Sequence, residues 1–111
     1  MIEQMVYNLV SNAIKYNREG GLVLLQLESD AGSALISVED EGPGIPEELR
    51  ERVFERFFRI DASRSRDTGG TGLGLAIVKH VAESQGGSVA VGKSHLGGAA
   101  FTVRLPLLRH P

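Results

Sequence analysis

The sequence contains no cysteine and no tryptophan, and its aromatic residues are four phenylalanines and two tyrosines. Without thiols, disulfides and zinc–thiolate sites are excluded. Their absence fits a reducing compartment without establishing one. No apolar run reaches the roughly 18 residues that a membrane span needs, and no secretory leader is visible. Charge of one sign is lacking too, since 12 basic and 14 acidic residues leave a net charge of -2. That balance gives no electrostatic case for nucleic acid, whose binders carry a strong basic patch. His80, His95 and His110 fall at no metal-binding spacing, and no Ser-His-Asp or Cys-His arrangement can be argued. Internal repeats and low-complexity segments are absent. What is there is a chain of 111 residues, 41% hydrophobic and 23% charged, with 14 glycines. This is the make-up of one globular domain.

Met1 to Asn17 reads as an amphipathic helix. Ile2, Met5, Val6, Leu9, Val10, Ala13 and Ile14 recur at spacings of three and four, the helical period. At about 100° per residue, Asn8, Asn12 and Lys15 cluster on another face, roughly 130° from the centre of the apolar stripe. Tyr16 falls between the two. Apolar periodicity is already running at Ile2, with no cap before it. The expectation is an excised domain or a truncated reading frame, with a native start at Met1 as the alternative. Leu22 to Glu28 and Ala34 to Glu39 read as a hairpin of two strands joined across Ser29 to Ser33. Asp40 to Pro46 is a loop, and Pro46 suits the first turn of a short helix carrying Leu49 and Val53 inward. Phe57 to Gly70 reads as a mobile loop. Gly72 to Gln85 reads as a helix with Leu73, Ile77 and Val81 on one stripe, stopped by Gly86-Gly87. Ser88 to Val91 and Ala100 to Leu105 read as two more strands. The expected fold class is α+β, a two-layer α/β sandwich with helices on one face of a mixed, mostly antiparallel sheet.

Three segments carry candidate chemistry. Asn8 and Asn12 lie one helical turn apart, so their amides can meet one ligand. Asparagine oxygen suits Mg²⁺, which keeps waters and also binds substrate phosphates. Lys15 could meet a phosphate as a point charge. Taken alone, this face reads as a solvated surface. Asp40-Glu41-Gly42-Pro43-Gly44 follows a strand; Gly42 and Gly44 let backbone approach a flat ligand, and Asp40 could accept from an amino group. Taken alone, it reads as an ordinary turn. Gly69-Gly70-Thr71-Gly72-Leu73-Gly74-Leu75 opens a helix, and glycines that expose N–H groups at a helix start favour phosphate. Gly87 to Ser94 matches G-x-x-x-x-G-K-[ST], but a P-loop lies between a strand and a helix. Here Ser88 to Val91 is itself strand-like, so the match is accidental.

Together these segments resemble the catalytic, ATP-binding domain of sensor histidine kinases, within the Bergerat-fold (GHKL) superfamily, over nearly the whole chain. Asn8 to Tyr16 is similar to the family's N box, Asp40 to Ile45 to its G1 box, Phe54 to Arg59 to its F box and Gly70 to Leu75 to its G2 box. Gly97 to Thr102 resembles the last glycine turn and strand. Four boxes in this order and spacing are specific, although each alone is weak to moderate.

The resemblance implies a protein-histidine kinase domain that binds ATP and Mg²⁺ and donates the γ-phosphoryl group. Asn12 would coordinate Mg²⁺ with Asn8 assisting, Lys15 would contact phosphate, and Tyr16 would lie near the sugar or base. Asp40 would bind the adenine amino group, with Thr102 near the same ring through water. Gly42, Gly44, Ile45 and Phe58 would shape the nucleotide pocket. Gly70, Thr71, Gly72, Leu73, Gly74 and Leu75 would hold the phosphates, and Arg59 would reach the γ-phosphate. The segment between Phe58 and Gly70 would be a nucleotide-ordered lid. The implied partner is a histidine-containing dimerisation domain of the same or a sister chain, with a response regulator indirectly. No nucleic acid and no direct membrane contact are expected, and the implied location is cytoplasmic, as part of a membrane-bound sensor. A non-catalytic nucleotide-binding module and a GHKL-type ATPase are the alternatives. The hydrolysing relatives typically have glutamate at the position of Asn8. An amide cannot take a proton at neutral pH, which favours phosphoryl donation. The chain departs from the family in lacking an acceptor helix. His80, His95 and His110 precede Val81, Leu96 and Pro111, not an acidic residue. The strand and helix start that usually precede the N box are also missing, which predicts an exposed sheet edge or a frayed first helix.

Overall fold

The computed structural model describes residues 2–58 and 74–107. Helix α1 spans Ile2–Lys15 and α2 spans Gly74–Ser84. The strands are β1 (Val23–Asp30), β2 (Ser33–Asp40), β3 (Ser88–Lys93) and β4 (Ala99–Pro106). They form one sheet in the order β1-β2-β4-β3, and every pairing among them is antiparallel. The two helices pack against each other and against the sheet, α1 over β1 and β2, α2 over β3 and β4. This is the expected α+β sandwich, and the described strands leave the sheet without a parallel member.

Strand alternation sets the layers. Along β4, Ala99, Phe101, Val103 and Leu105 are buried, while Ala100 and Thr102 between them are half-buried and Arg104 and Pro106 are exposed. Ile36 and Val38 of β2 lie opposite Val103 and Phe101 and share the buried face. Against them sit Met5, Leu9 and Ala13 of α1, Val78, Val81 and Ala82 of α2, and Val53 and Phe54. Phe54 meets Phe101 edge to face, with ring centroids 6.0 Å apart and planes at 88°, a favoured aromatic geometry.

The structure corrects several element details. The buried line of α1 is Met5, Leu9 and Ala13, whereas Ile2 and Ile14 are exposed. The inward direction is thus turned toward the asparagines, and Asn12 lies only about 60° from Leu9 around the axis. On α2, Val78 is fully buried and Ile77 is exposed, so the stripe is Val78, Val81 and Ala82; Leu73 lies outside the described residues. The single short helix after Pro46 is two 3₁₀ turns, Glu47–Leu49 and Arg52–Phe54. Val53 is buried and Leu49 half-buried. The rejected P-loop match is strand as far as Lys93.

The β1–β2 turn is tighter than the sequence suggested. Asp30 pairs with Ser33, leaving Ala31 and Gly32 as the whole connection, at φ of 35° and 94°. Two residues of positive φ match the twist of the flanking strands. Glycine takes this conformation readily, but alanine does so against its Cβ. Ala31→Asn is therefore expected to stabilise the domain by about 0.5–1 kcal/mol, read as a higher urea midpoint at unchanged slope.

The helix layer covers β1, one of the two edge strands, only in part. Leu25 and Leu27 face the same side as Val38 and Ile36, yet are 50% and 73% exposed. Among the described residues, β1 pairs only with β2. This is the exposed edge that the sequence led one to expect.

Candidate functional site

The site begins where β2 ends. Asp40 shares the buried face of β2 with Val38, and its residue is 4% exposed. Burying a carboxylate is costly unless it is hydrogen-bonded. Its Oδ1 accepts the Gly42 N–H at 2.9 Å and the Ala99 N–H at 3.1 Å. The Asp40 carbonyl accepts the Gly98 N–H at 3.1 Å. Among the described residues nothing bonds Oδ2. One oxygen is locked in place by main-chain donors, and among the described residues the other carries no hydrogen bond.

Two glycines make this lock possible. A Cβ on Gly98 would run into Asp40 Oδ1 and would stand 2.7 Å from the Gly42 nitrogen. A Cβ on Gly42 would collide with the Tyr16 carbonyl and lie 3.2 Å from Asn17 Cα. The loop after β2 is thus pressed between the end of α1 and the β3–β4 turn, at distances no side chain permits. Gly44 takes φ of +74° and lies against the Gly98 carbonyl. A cavity of about 210 Å³ adjoins this contact, lined by Ile45, Arg50 and Lys93 together with both glycine turns. The Arg50 Nε–H donates to the Ile45 carbonyl at 3.1 Å and holds that side of the loop.

The end of α1 is fastened to the same loop. Asn17 Oδ1 accepts the N–H of Glu41 at 3.2 Å and that of Arg18 at 2.9 Å, while its Nδ2 donates to the Leu22 carbonyl at 3.0 Å. Glu41 Oε1 accepts from Leu22 N–H at 2.7 Å and from Arg18 Nη2 at 3.1 Å. The network fixes the helix that bears the asparagines relative to Asp40. Sequence reading missed Asn17, the Glu41 side chain and Gly98 in this role. A helix-ending Asn and a G-G turn were visible, but their partners are 24 and 58 positions away.

The predicted site residues divide into groups. Asn12 is half-buried, and among the described residues no side-chain hydrogen bond occupies its amide. Lys15 and Tyr16 are exposed beside it, and Ile45, Phe58 and Leu75 pack against the core. Phe58 reaches the core because Phe57 turns the chain at φ of 66°, and the Arg52 guanidinium lies 4.7 Å above the Phe58 ring. Asn8 is engaged on both sides. Its Nδ2 donates to the Gly74 carbonyl at 3.4 Å and its Oδ1 accepts from Gln4 at 3.2 Å. This side chain joins α1 to the start of α2, where no described atom lies within 4 Å of a Cβ placed on Gly74. Arg59, Gly70, Thr71, Gly72 and Leu73 lie outside the described residues.

Thr102 is a correction. It pairs with Ser37 and Ala90, between the buried Phe101 and Val103. Alternation therefore turns it to the face of the sheet opposite Asp40. The residue of β4 that does meet Asp40 is Ala99, through its N–H.

Among the described residues no three His, Cys, Asp or Glu side chains form a group that could hold a metal, and no helix is long and apolar enough to cross a membrane.

Comparison with known proteins places this geometry. The family model described as histidine kinase-, DNA gyrase B-, and HSP90-like ATPase matches residues 1–109. The sensor-like histidine kinase SenX3 of Mycolicibacterium smegmatis is 50% identical over 101 residues, covering 91% of this chain and 26% of that protein. The chain thus spans about a quarter of the length of this relative. Among solved structures, the mycobacterial sensor histidine kinase MprB is 40% identical with a TM-score of 0.79, over 93% of this chain and 68% of the other. Full-length ShkA in complex with AMPPNP is 37% identical with a TM-score of 0.80, over 98% of this chain and 22% of the other.

Proposed function

Because the chain belongs to the histidine kinase-, DNA gyrase B-, and HSP90-like ATPase family, we propose that it binds ATP with Mg²⁺ at the Asp40 site and donates the γ-phosphoryl group to a histidine on a separate dimerisation domain. The observation that carries this is Asp40, with Oδ1 clamped by two N–H groups and Oδ2 without a hydrogen bond among the described residues. A carboxylate oxygen held in this way suits an exocyclic amino group such as that of adenine. The glycine approaches at 42 and 98 leave a flat ligand room that any Cβ would fill. The AMPPNP bound to ShkA supports a nucleotide of this class.

Asn12 fits Mg²⁺ as a hard amide oxygen with no described partner. With no carboxylate cluster among the described residues, the ion would draw its other ligands from phosphate and water. Lys15 follows Asn12 by three positions, on the same side of the helix, and would add a point charge for phosphate. Gly74 and Leu75 open α2, whose N-terminus favours phosphate oxygens. Bound ATP and Mg²⁺ supply the phosphoryl group and offset its charge. The protein's own residues then mainly position and neutralise, as phosphoryl transfer demands.

Asn8 sharpens the reaction class. Its amide cannot take a proton at neutral pH and is already bonded to Gly74 and Gln4. A neutral histidine acceptor needs no base, because its ring nitrogen is already nucleophilic. The sensor histidine kinases that this chain is similar to, one of them solved in complex with a response regulator, support a partner helix bearing such a histidine and a response regulator as the later recipient, in the cytoplasmic part of a sensor. Calorimetry with ATP and Mg²⁺ tests the pocket. Asn12→Ala should bind about tenfold more weakly than wild type with Mg²⁺, and the gap should close in EDTA. Equal affinity of the two proteins with Mg²⁺ would remove Asn12 from the site.

A further inference from the structure

The residue before Asp40 is also buried and also charged. Glu39 is 9% exposed and belongs to the opposite face of β2, since neighbouring strand residues point to opposite sides. Its Oε1 accepts the Ser94 hydroxyl at 2.6 Å, and the largely exposed His95 brings Nδ1 to 3.1 Å from the same oxygen. Ser94, 3% exposed, organises the β3–β4 turn. Its Oγ accepts the Leu96 N–H at 2.9 Å, its N–H donates to the Gly98 carbonyl at 2.8 Å, and its carbonyl accepts the Gly97 N–H at 3.0 Å. The turn then delivers the Gly98 and Ala99 N–H groups to Asp40. Two successive residues of β2 thus grip one turn from the two faces of the sheet.

We infer that Glu39 and Ser94 are positioning residues for the nucleotide base: through the β3–β4 turn they set where the Asp40 carboxylate stands, and so how strongly the site prefers adenine to guanine. This rests on the proposed adenine role of Asp40. A carboxylate this buried needs a partner to be tolerated, and the partner it has is the residue that shapes the turn. Guanine presents a carbonyl where adenine presents an amino group. The preference therefore depends on an acceptor oxygen held in place, and a turn free to shift would loosen it.

The test compares Mg-ATP and Mg-GTP affinities by calorimetry for wild type, Glu39→Gln, Glu39→Leu and the double variant Glu39→Leu/Ser94→Ala. The double variant removes the carboxylate and the hydroxyl together, so neither is left buried without the other and, the largely exposed His95 aside, only the half-buried Leu96 N–H loses an acceptor; it should fold even where the single Leu change does not. Glu39→Gln keeps an acceptor oxygen for the Ser94 hydroxyl. In the Leu and double variants the ATP-to-GTP preference should fall about tenfold, with faster amide exchange at Gly98 and Ala99, and Glu39→Gln should restore both. A preference within about twofold of wild type in the double variant overturns the inference, as does a loss that Gln fails to restore. Failure of wild type to bind ATP at all would instead overturn the proposed function.

Discussion

Gly98→Ala should cost the domain about 1–3 kcal/mol of stability, as overpacking does, and lower ATP affinity by about two orders of magnitude. The added methyl meets Asp40 Oδ1 and the Asp40 carbonyl, and stands 2.7 Å from the Gly42 nitrogen. None of these is the far end of a flexible side chain, because Asp40 is held at 4% exposure by the N–H groups of Gly42 and Ala99. Relief requires the turn to retreat, and retreat breaks the Gly98 and Ala99 bonds to Asp40. Gly20→Ala is the matched control. Gly20 has φ of +73° but, among the described residues, nothing within 4 Å of an added Cβ, so its variant carries backbone strain without the collision. Urea denaturation and calorimetry on both proteins separate the two causes. If Gly98→Ala binds ATP within threefold of Gly20→Ala, about 0.65 kcal/mol apart at most, the tight approach is not what holds Asp40.

Phe101→Ala should be the most damaging core change, at about 3–5 kcal/mol. Phe101 is 1% exposed, heads the fully buried side chains by volume, and lies opposite Val38 of β2 and Val91 of β3. Its loss also removes the edge-to-face contact with Phe54, worth about 0.5–1.5 kcal/mol beyond burial. Domains of this kind are stable by about 5–15 kcal/mol, so the variant should lose a large share of its stability and unfold at a clearly lower urea concentration. Phe101→Leu keeps most of the volume and should cost clearly less. An Ala variant whose urea midpoint implies under about 1 kcal/mol would show that the core collapses to fill the space.

Much of this was legible in the residues, for physical reasons. Strands were legible because alternation survives in β4, where each second residue is buried. Helix stops were legible because Gly86 takes φ of +81° and its successor donates to the Ala82 carbonyl at 2.8 Å, a bond that depends on a left-handed residue. Asp40 and the loop glycines were legible because their spacing is local. Other features were not. The inward direction of α1 depends on what α1 packs against, so Ile2 and Ile14 matched the period and still ended exposed. The same holds for Ile77 on α2. Leu25 and Leu27 alternate as buried strand residues should, but the helices do not reach over them. Thr102 was misplaced because one step along a strand reverses the face, and a turn-and-strand likeness does not count steps. Asn17, Glu41 and Glu39 act through partners far along the chain, and no short pattern encodes such pairings.

The hold on Asp40 has a consequence for how freely this region can vary. Its three donors, at 42, 98 and 99, are all main-chain N–H groups. Every amino acid except proline carries that donor. A library randomised at position 99 should therefore be filtered by volume, since Ala99 is 4% exposed, by the imino acid, and by charge, which is costly to bury unpaired. The proposed recognition element is thus spelled in the path of the chain, so its alphabet at this position is set by what fits and not by what the side chain donates.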